Sequence, residues 1–360
     1  MYSDSIIEAP VIFFLGAGAS GPLGMPLMRE FIDKLEATAG FKEQPLFTKI
    51  VSRERDLEFL FEELEEWAGK DYYAPRPIGG VISPPGGPLE SGLIGASDSR
   101  FQDGLRSLIR EAERLQAQLK REVFNTYRNI SKPDEALRLF TPLFEAIPRG
   151  REATRYPLVV FTTNYDPSIE TFCTLSSETY RLHDGFFHDQ GRMAYVWQRS
   201  AFDEFSPSAN KTDVILFKLH GSTNWTKAQG IVTRSPVSIF VEGDAAHENM
   251  LIYPAKRKVA LEDPFFAGYD YFQRCAERSQ ICVVIGYSFR DYDALTKLMS
   301  ASISNPKLTV LVVDPNAAKL CRELRARQIR AEPVAAAFGA GAGFEGYVGK
   351  VIAAVENALS

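Results

Sequence analysis

Paired cysteines are the first feature this sequence lacks. Its four cysteines, Cys173, Cys275, Cys282 and Cys321, are scattered along the chain without any C-x-x-C pair. A zinc ribbon requires such pairs, and a disulfide framework requires a short, cysteine-dense chain. We therefore expect no metal site and no disulfides, and we interpret the four thiols as buried apolar residues.

Long apolar runs are absent as well. Runs such as Val11–Leu15 and Leu158–Phe161 are far shorter than the roughly 20 residues that a membrane helix needs. The first residues lack the basic-then-apolar layout of a signal peptide. With 360 residues and 45% hydrophobic content, the chain is expected to be soluble and cytoplasmic, with no membrane contact and with one large or two modest domains.

An excess of positive charge is also absent. The formal net charge is −5, which gives the chain as a whole no electrostatic reason to bind nucleic acid tightly. The compact basic cluster Lys256-Arg257-Lys258 is more typical of a solvated turn than of a binding patch. We expect no direct nucleic-acid binding.

What the sequence does contain is a set of short, fully apolar runs typical of buried strands in a parallel sheet. The five runs are Val11–Leu15, Leu158–Thr162, Val214–Leu219, Ile281–Ile285 and Leu308–Val313. Helical patterns follow three of them, at Pro167–Leu175, Asp291–Ile303 and Ala317–Arg327. This alternation predicts an α/β fold with a Rossmann-like, doubly wound, mostly parallel sheet that binds its ligand at the carboxyl ends of the strands.

A helical insert is predicted to interrupt this α/β pattern. Amphipathic patterns indicate helices at Leu57–Trp67, Gln102–Arg128, Asp134–Ile147 and Tyr347–Leu359. We expect a core of residues 1–40 and 155–330, a helical insert at 41–154 with a proline- and glycine-rich loop at 73–99, and a C-terminal helical tail at 331–360. Residues 185–212 and 221–255 are interpreted as excursions over the mouth of the sheet.

A glycine-rich loop follows the first predicted strand. Gly16-Ala17-Gly18-Ala19-Ser20-Gly21 matches G-x-G-x-x-G ahead of a helix predicted around Leu27–Thr38. Absent side chains let the backbone approach a pyrophosphate, whose charge is favoured at a helix N-terminus. The same glycines also suit a tight turn without a ligand. A dehydrogenase would continue into a strand ending in an acidic residue, but this chain continues into a helix, which argues against hydride transfer.

Two polar clusters follow other predicted strands. They are Thr162-Thr163-Asn164-Tyr165-Asp166 and Lys218-Leu219-His220-Gly221-Ser222. Both fall at the edge where a doubly wound sheet binds ligands. A lone histidine at a strand end is more often a packing or hydrogen-bonded surface residue, but its combination with the asparagine cluster favours a site.

Further strand ends carry weaker signals. Gly286-Tyr287-Ser288-Phe289 offers a glycine and a hydroxyl to a phosphate or a ribose, while the nearby Asp291 is explained by an N-cap. Asp314-Pro315-Asn316 suits either a ribose or adenine contact or an Asx turn. Asp166 either orients a neighbouring group or caps the helix that begins at Pro167.

The ordered set of motifs resembles the sirtuin-like NAD-consuming family, from residue 11 to about residue 316. The resemblance implies that the glycine loop holds the NAD phosphates, that Asn164 contacts the nicotinamide ribose and that His220 acts as general base. The expected NAD-binding residues are Gly16, Ala17, Gly18, Ala19, Ser20, Thr163, Asn164, Asp166, Gly286, Ser288, Phe289 and Asp314.

Sirtuin deacetylases also carry a zinc module with two C-x-x-C pairs, which this sequence does not have, and an aliphatic residue at the position of Tyr165. The chain is therefore more similar to the zinc-less sirtuin-like effectors of prokaryotic antiphage defence. That resemblance implies an NAD glycohydrolase that releases nicotinamide and ADP-ribose. An NAD-dependent protein deacylase and a non-catalytic sensor of NAD or ADP-ribose remain as alternatives.

The chemistry of NAD cleavage suits these residue types. Nicotinamide is a cationic leaving group, so its departure needs no general acid and leaves an oxocarbenium-like ribose. Asn164 has both a donor and an acceptor to fix a ribose hydroxyl or a water molecule. Neutral His220 is suited to take the proton of that water near pH 7.

The resemblance also implies restraint of a toxic activity. Companions of the family include Argonaute-type proteins and hexameric DNA-translocating ATPases. We therefore expect a homo-oligomer, a regulatory partner protein of one of these kinds, or both, with the helical insert and the last helix as candidate surfaces.

Overall fold

The computed structural model describes residues 7–38, 40–68, 99–147, 156–242, 247–253, 262–339 and 344–359. The interpretations given for Lys256-Arg257-Lys258 and for nearly all of the 73–99 loop lie outside these residues.

Strands and helices alternate along much of this part of the chain. The strands are β1 Val11–Leu15, β2 Leu158–Thr162, β3 Tyr180–His183, β4 Phe186–Asp189, β5 Ala194–Trp197, β6 Thr212–Lys218, β7 Gly221–Ala228, β8 Ile231–Arg234, β9 His247–Leu251, β10 Ile281–Ile285, β11 Thr309–Val313 and β12 Ala331–Val334. The helices are α1 Ala17–Ser20, α2 Met28–Ala37, α3 Pro45–Arg53, α4 Leu57–Ala68, α5 Ser99–Tyr127, α6 Pro133–Glu145, α7 Ser168–Leu175, α8 Ser200–Asp203, α9 Phe265–Arg278, α10 Tyr292–Ser304, α11 Ala317–Ala326 and α12 Phe344–Leu359, with a 3-10 turn at Gly21–Leu23. None of the helices in the described ranges is long and apolar enough to cross a membrane.

Seven strands form one parallel sheet in the order β12-β11-β10-β1-β2-β6-β3. The four strands β1, β2, β10 and β11 are buried along their whole length. Burial on both faces explains why these segments are continuous apolar runs without polar alternation. The predicted Rossmann-like α/β fold and all five predicted core strands are confirmed.

A second sheet has the order β4-β5-β8-β7-β9, and all of its pairings are antiparallel. It occupies much of the two segments that the sequence interpretation treated as excursions. Four of its strands have only four or five residues. Most of these strands mix polar with apolar residues and lack the continuous apolar runs of the core strands. The pairings of β5 with β8 and of β7 with β9 also join segments that are distant in the chain, which no local pattern predicts.

The described chain divides into two compact units. The first comprises Met1–Leu27, Phe124–Ile252 and Arg257–Ser360, and the second comprises Met28–Val123 and Tyr253–Lys256. The first unit holds both sheets, and it includes α6 and β12, which the sequence interpretation assigned to the helical insert and to the C-terminal tail. Phe144 of α6 packs edge-on against Phe172 of α7, with ring centroids 5.3 Å apart.

Aromatic side chains fix one face of the parallel sheet. Phe161 and Phe217 stack on neighbouring strands at 4.9 Å, and Phe272 of α9 contacts both Phe14 and Phe161 at 5.0 Å. The strand ends that follow these residues are therefore supported by a closely packed core.

The predicted burial of all four cysteines is confirmed, and burial raises the thiol pKa of Cys275 and Cys282 to about 12.

Candidate functional site

Four of the predicted motifs follow four neighbouring strands of the parallel sheet. β10, β1, β2 and β6 are adjacent in the sheet, so the segments after them emerge at the same edge. From β1 the chain crosses to β2 on one side and later returns to β10 on the other side. In open α/β sheets, the crevice at such a reversal of strand order is where ligands bind.

The glycine loop after β1 lies directly against the turn after β10. Gly16 N–H donates to the carbonyl of Ile285 and Gly18 N–H to that of Gly286, each at 2.9 Å. A Cβ atom at Gly18 would lie 2.7 Å from Cα of Gly286, and one at Gly16 would lie 2.6 Å from the carbonyl oxygen of Gly286. The packing of the two loops therefore requires these glycines whether or not a ligand is bound.

Asn164 links the end of β2 to the glycine loop. Its Nδ2 group donates to the carbonyl of Gly16 at 2.8 Å and to Oγ of Ser20 at 2.9 Å. The acceptor at Gly16 fixes which way the amide points, because only the NH₂ side can donate. Both amide hydrogens are thus used, and the described residues make no hydrogen bond to Oδ1 of Asn164. This orientation leaves Oδ1 as the acceptor that Asn164 can offer to a ligand.

His220, after β6, forms a buried cluster with Asp291 and Tyr269. Its Nε2 lies 2.5 Å from Oδ2 of Asp291 and 3.1 Å from the hydroxyl of Tyr269. The Tyr269 hydroxyl also donates to Oδ2 of Asp291 at 3.1 Å. The side chains of His220 and Asp291 are only 6% and 5% exposed. Burial and the neighbouring Asp291 carboxylate raise the pKa of the Tyr269 phenol, so this group stays protonated and donates.

Asp291 has a second role in addition to the N-cap predicted from the sequence. Its Oδ1 accepts from the amides of Asp293 at 2.9 Å and Ala294 at 3.2 Å and so caps α10, as expected. Its Oδ2 is the atom that contacts His220. Sequence reasoning missed this contact and Tyr269 entirely, because His220 and Asp291 are 71 residues apart and no local pattern connects them.

Tyr165 and Lys218 hold the segment that carries Asn164. The hydroxyl of Tyr165 donates to the carbonyl of Ile252 at 2.6 Å, and its ring lies 6.4 Å from that of His220. The buried ammonium of Lys218 contacts the carbonyls of Tyr165 and Asp166 at 3.1 and 2.7 Å and the carboxylate of Glu170 at 3.0 Å. A buried ammonium with this set of acceptors ties the segment to β6 and α7.

Several of the remaining predicted residues make local hydrogen bonds in turns, caps or the sheet. Oδ1 of Asp166 accepts from Ser168 N–H, as the capping alternative predicts, and Oδ1 of Asp314 accepts from Asn316 N–H in an Asx turn. Thr163 N–H continues the sheet ladder to the carbonyl of Leu15. Ser288 is exposed, while Phe289 is half-buried and has a φ of 57°. Residues other than glycine rarely adopt this left-handed backbone conformation, and those that do are often found at functional sites.

Within the described ranges, no group of three or more His, Cys, Asp and Glu side chains is placed to hold a metal ion. The donors at the strand ends are instead an amide, an imidazole, a carboxylate and hydroxyls. Such groups can orient hydroxyls and accept a proton. The arrangement therefore suits a sugar-containing ligand whose hydroxyls or attacking water need placing.

Fold and site together define a Rossmann-like α/β protein with its polar cluster at the carboxyl edge. Residues 158–332 match the family model of the SIR2-like domain. This segment, a little under half of the chain, is therefore similar to a SIR2-like domain. The matched segment includes Asn164, His220 and Asp291, and the glycine loop precedes it.

Solved structures similar to this chain include Sir2 homologues. One described as a Sir2 homologue in complex with NAD is 12% identical, with a TM-score of 0.42 over 97% of this chain and 90% of that chain. A variant Sir2 homologue with ADP-ribose is 13% identical, with a TM-score of 0.41 over 99% of this chain and 95% of that one. At such values these similarities carry no argument about the site. The search of curated proteins found no match.

Proposed function

We propose that this protein is an NAD glycohydrolase that cleaves the bond between nicotinamide and ribose. The observation that carries the proposal is the placement of Asn164 and His220 after the adjacent strands β2 and β6. Asn164 is held on the glycine loop, and His220 is held by a carboxylate. The SIR2-like domain match over both residues supports NAD as the substrate.

In the proposed reaction, the bond from C1′ of the ribose to nitrogen breaks and its electron pair leaves with neutral nicotinamide. A water molecule forms the new C1′–O bond, and its proton passes to His220. The products are nicotinamide, ADP-ribose and one proton. Because charge develops as an oxocarbenium-like sugar, the protein needs to place the ribose and the water rather than to protonate the leaving group.

The hydrogen-bonding atoms that remain available on each residue indicate its proposed role. Oδ1 of Asn164 is suited to accept a hydrogen bond from a ribose hydroxyl or from the attacking water, since its Nδ2 is already used. His220 takes the proton of that water. The glycine loop and the turn at Gly286 form the proposed phosphate side of the site, because both follow neighbouring strands at the carboxyl edge of the sheet and pack against each other through glycines.

Product analysis tests this function. Incubation of wild-type protein with NAD should release nicotinamide and ADP-ribose in equal amounts without any acyl-lysine peptide. Asn164→Ala and His220→Ala should each lower the rate at least about 100-fold. Exposed residues of the same types provide matched controls, and Asn210→Ala and His188→Ala should keep the wild-type rate. Full activity in both site variants would exclude the assignment, and turnover that requires an acetylated peptide would indicate a deacylase.

We further propose that the activity is restrained in the cell and that the protein acts as an antiphage-defence effector that depletes NAD. Support comes from the resemblance of its motifs to that class of sirtuin-like proteins. A hydrolase that destroys an essential cofactor must be inactive until needed. Self-assembly or a regulatory partner protein is the proposed means of restraint.

A further inference from the structure

The contact between His220 and Asp291 bears on how the proposed base works. A carboxylate accepts hydrogen bonds and cannot donate them. At 2.5 Å, Oδ2 of Asp291 therefore requires a hydrogen on Nε2 of His220. In a neutral imidazole this places the lone pair on the other ring nitrogen, Nδ1.

The geometry also shows that Asp291 is more than a helix cap. Capping uses Oδ1 alone, which accepts from Asp293 N–H and Ala294 N–H. Serine, threonine or asparagine at this position would cap α10 about as well. An ionised carboxylate that is 5% exposed is costly to bury unless its oxygens are hydrogen-bonded. The second oxygen has two partners, the His220 imidazole and the Tyr269 hydroxyl.

We infer that Asp291 is a positioning residue that holds His220 as the tautomer with its proton on Nε2, so that Nδ1 is the atom that accepts a proton from the attacking water. Tyr269 completes the arrangement by donating to the same carboxylate oxygen. The inference rests on the proposed function for its catalytic part. Its structural part, the tautomer, is independent of any activity. An aspartate that fixes a histidine tautomer is a known means of preparing a general base.

The tautomer can be measured directly by ¹⁵N nuclear magnetic resonance on protein labelled at histidine. The His220 signals are assigned by comparison with His220→Gln, since the sequence has only four histidines. We expect Nε2 to carry the proton in the wild type at neutral pH. A proton on Nδ1 alone, or on both nitrogens at the pH of the activity assay, would overturn the inference.

Asp291→Asn then tests the role of the carboxylate. Asparagine retains the cap acceptor but offers an NH₂ group to His220, which favours the opposite tautomer. We expect the proton to move to Nδ1 and kcat to fall at least about 100-fold, while KM and the affinity for ADP-ribose change less than about threefold. Asp293→Asn removes a negative charge from the same helix turn and serves as the control. It should leave the proton on Nε2 of His220 and should change neither kcat nor KM by more than about threefold.

The outcomes separate the two proposals. A wild-type kcat in Asp291→Asn, or an unchanged tautomer, contradicts the positioning role. If the wild type hydrolyses no NAD but the tautomer still depends on Asp291, the positioning of His220 stands and the proposed function fails.

Discussion

Asn164 and Asp291 each divide their polar atoms between the fold and the site. Asn164 uses both amide hydrogens to hold the glycine loop, which leaves its carbonyl oxygen for a ligand. Asp291 uses one oxygen to cap a helix and the other to hold His220. Residues fixed in this way are pre-organised, because the bonds that orient them are formed before a substrate arrives.

Gly286 gives a residue-scale prediction. The residue has a φ of 59°, and a Cβ atom there would lie 2.4 Å from Cα of Gly18. Gly286→Ala must therefore separate the two loops, and we expect a loss of about 3 kcal/mol in the free energy of unfolding. Denaturant unfolding monitored by circular dichroism measures this loss.

Gly349→Ala is the matched control for that measurement. This glycine lies in α12 with nothing within 4 Å of an added Cβ. Alanine there should increase stability by up to about 1 kcal/mol, because glycine is the poorer helix former. Equal stability of Gly286→Ala and wild type would mean that the two loops are not packed as described.

At the scale of elements, the link from β3 to β4 joins the parallel sheet to the antiparallel one and carries a buried charge. Asp184 lies in this link and forms an ion pair with Arg234 of β8. Arg234 also lies over the rings of Phe186 and Tyr195, at 5.3 and 4.9 Å. Burial raises the pKa of Asp184 to about 6 from its ordinary 3.8.

This raised pKa predicts how stability depends on pH. Between about pH 4 and pH 6 the folded protein binds the Asp184 proton more tightly than the unfolded chain does. The contribution of Asp184 is therefore fully present below pH 4 and is lost as the pH rises through about 6. Relative to Asp184→Asn, the wild type should lose on the order of 2 kcal/mol of unfolding free energy over that range.

Asp189→Asn on β4 provides a control of opposite sign. The ion pair with Arg192 lowers the pKa of Asp189, so its contribution is lost on acidification instead. The neighbouring His183 has a pKa lowered by burial, and its effect cancels when each variant is compared with wild type. A stability difference between wild type and Asp184→Asn that does not change from pH 4 to pH 7 would contradict the raised pKa of Asp184.

At the scale of the whole molecule, the proposed restraint leads to a prediction about concentration. If assembly activates the protein, the amount of nicotinamide released per chain should rise more than about tenfold as the protein concentration increases through the dissociation constant of the assembly. Light scattering on the same samples should show larger species over the same range. A chain that stays monomeric and turns over NAD at a constant rate per chain would contradict activation by self-assembly.

The five apolar core strands, most of the helices and the strand-end motifs can be predicted from the sequence alone. Continuous apolar runs and helical periodicity are local properties, so β1, β2 and β10 are predicted to the residue and the helices from α4 to α7 to within a few residues. The motifs could be assigned to one edge because the carboxyl ends of parallel strands share an edge.

Which of those motifs meet depends on tertiary packing. The placement of β10 beside β1, the second sheet, and the contact of His220 with Asp291 and Tyr269 all depend on pairing between distant segments. Such pairing follows from the packing of the whole core, and a local pattern does not encode it. An N-cap aspartate has the same sequence signature with or without a histidine at its second oxygen, so the positioning role of Asp291 is visible only in the fold.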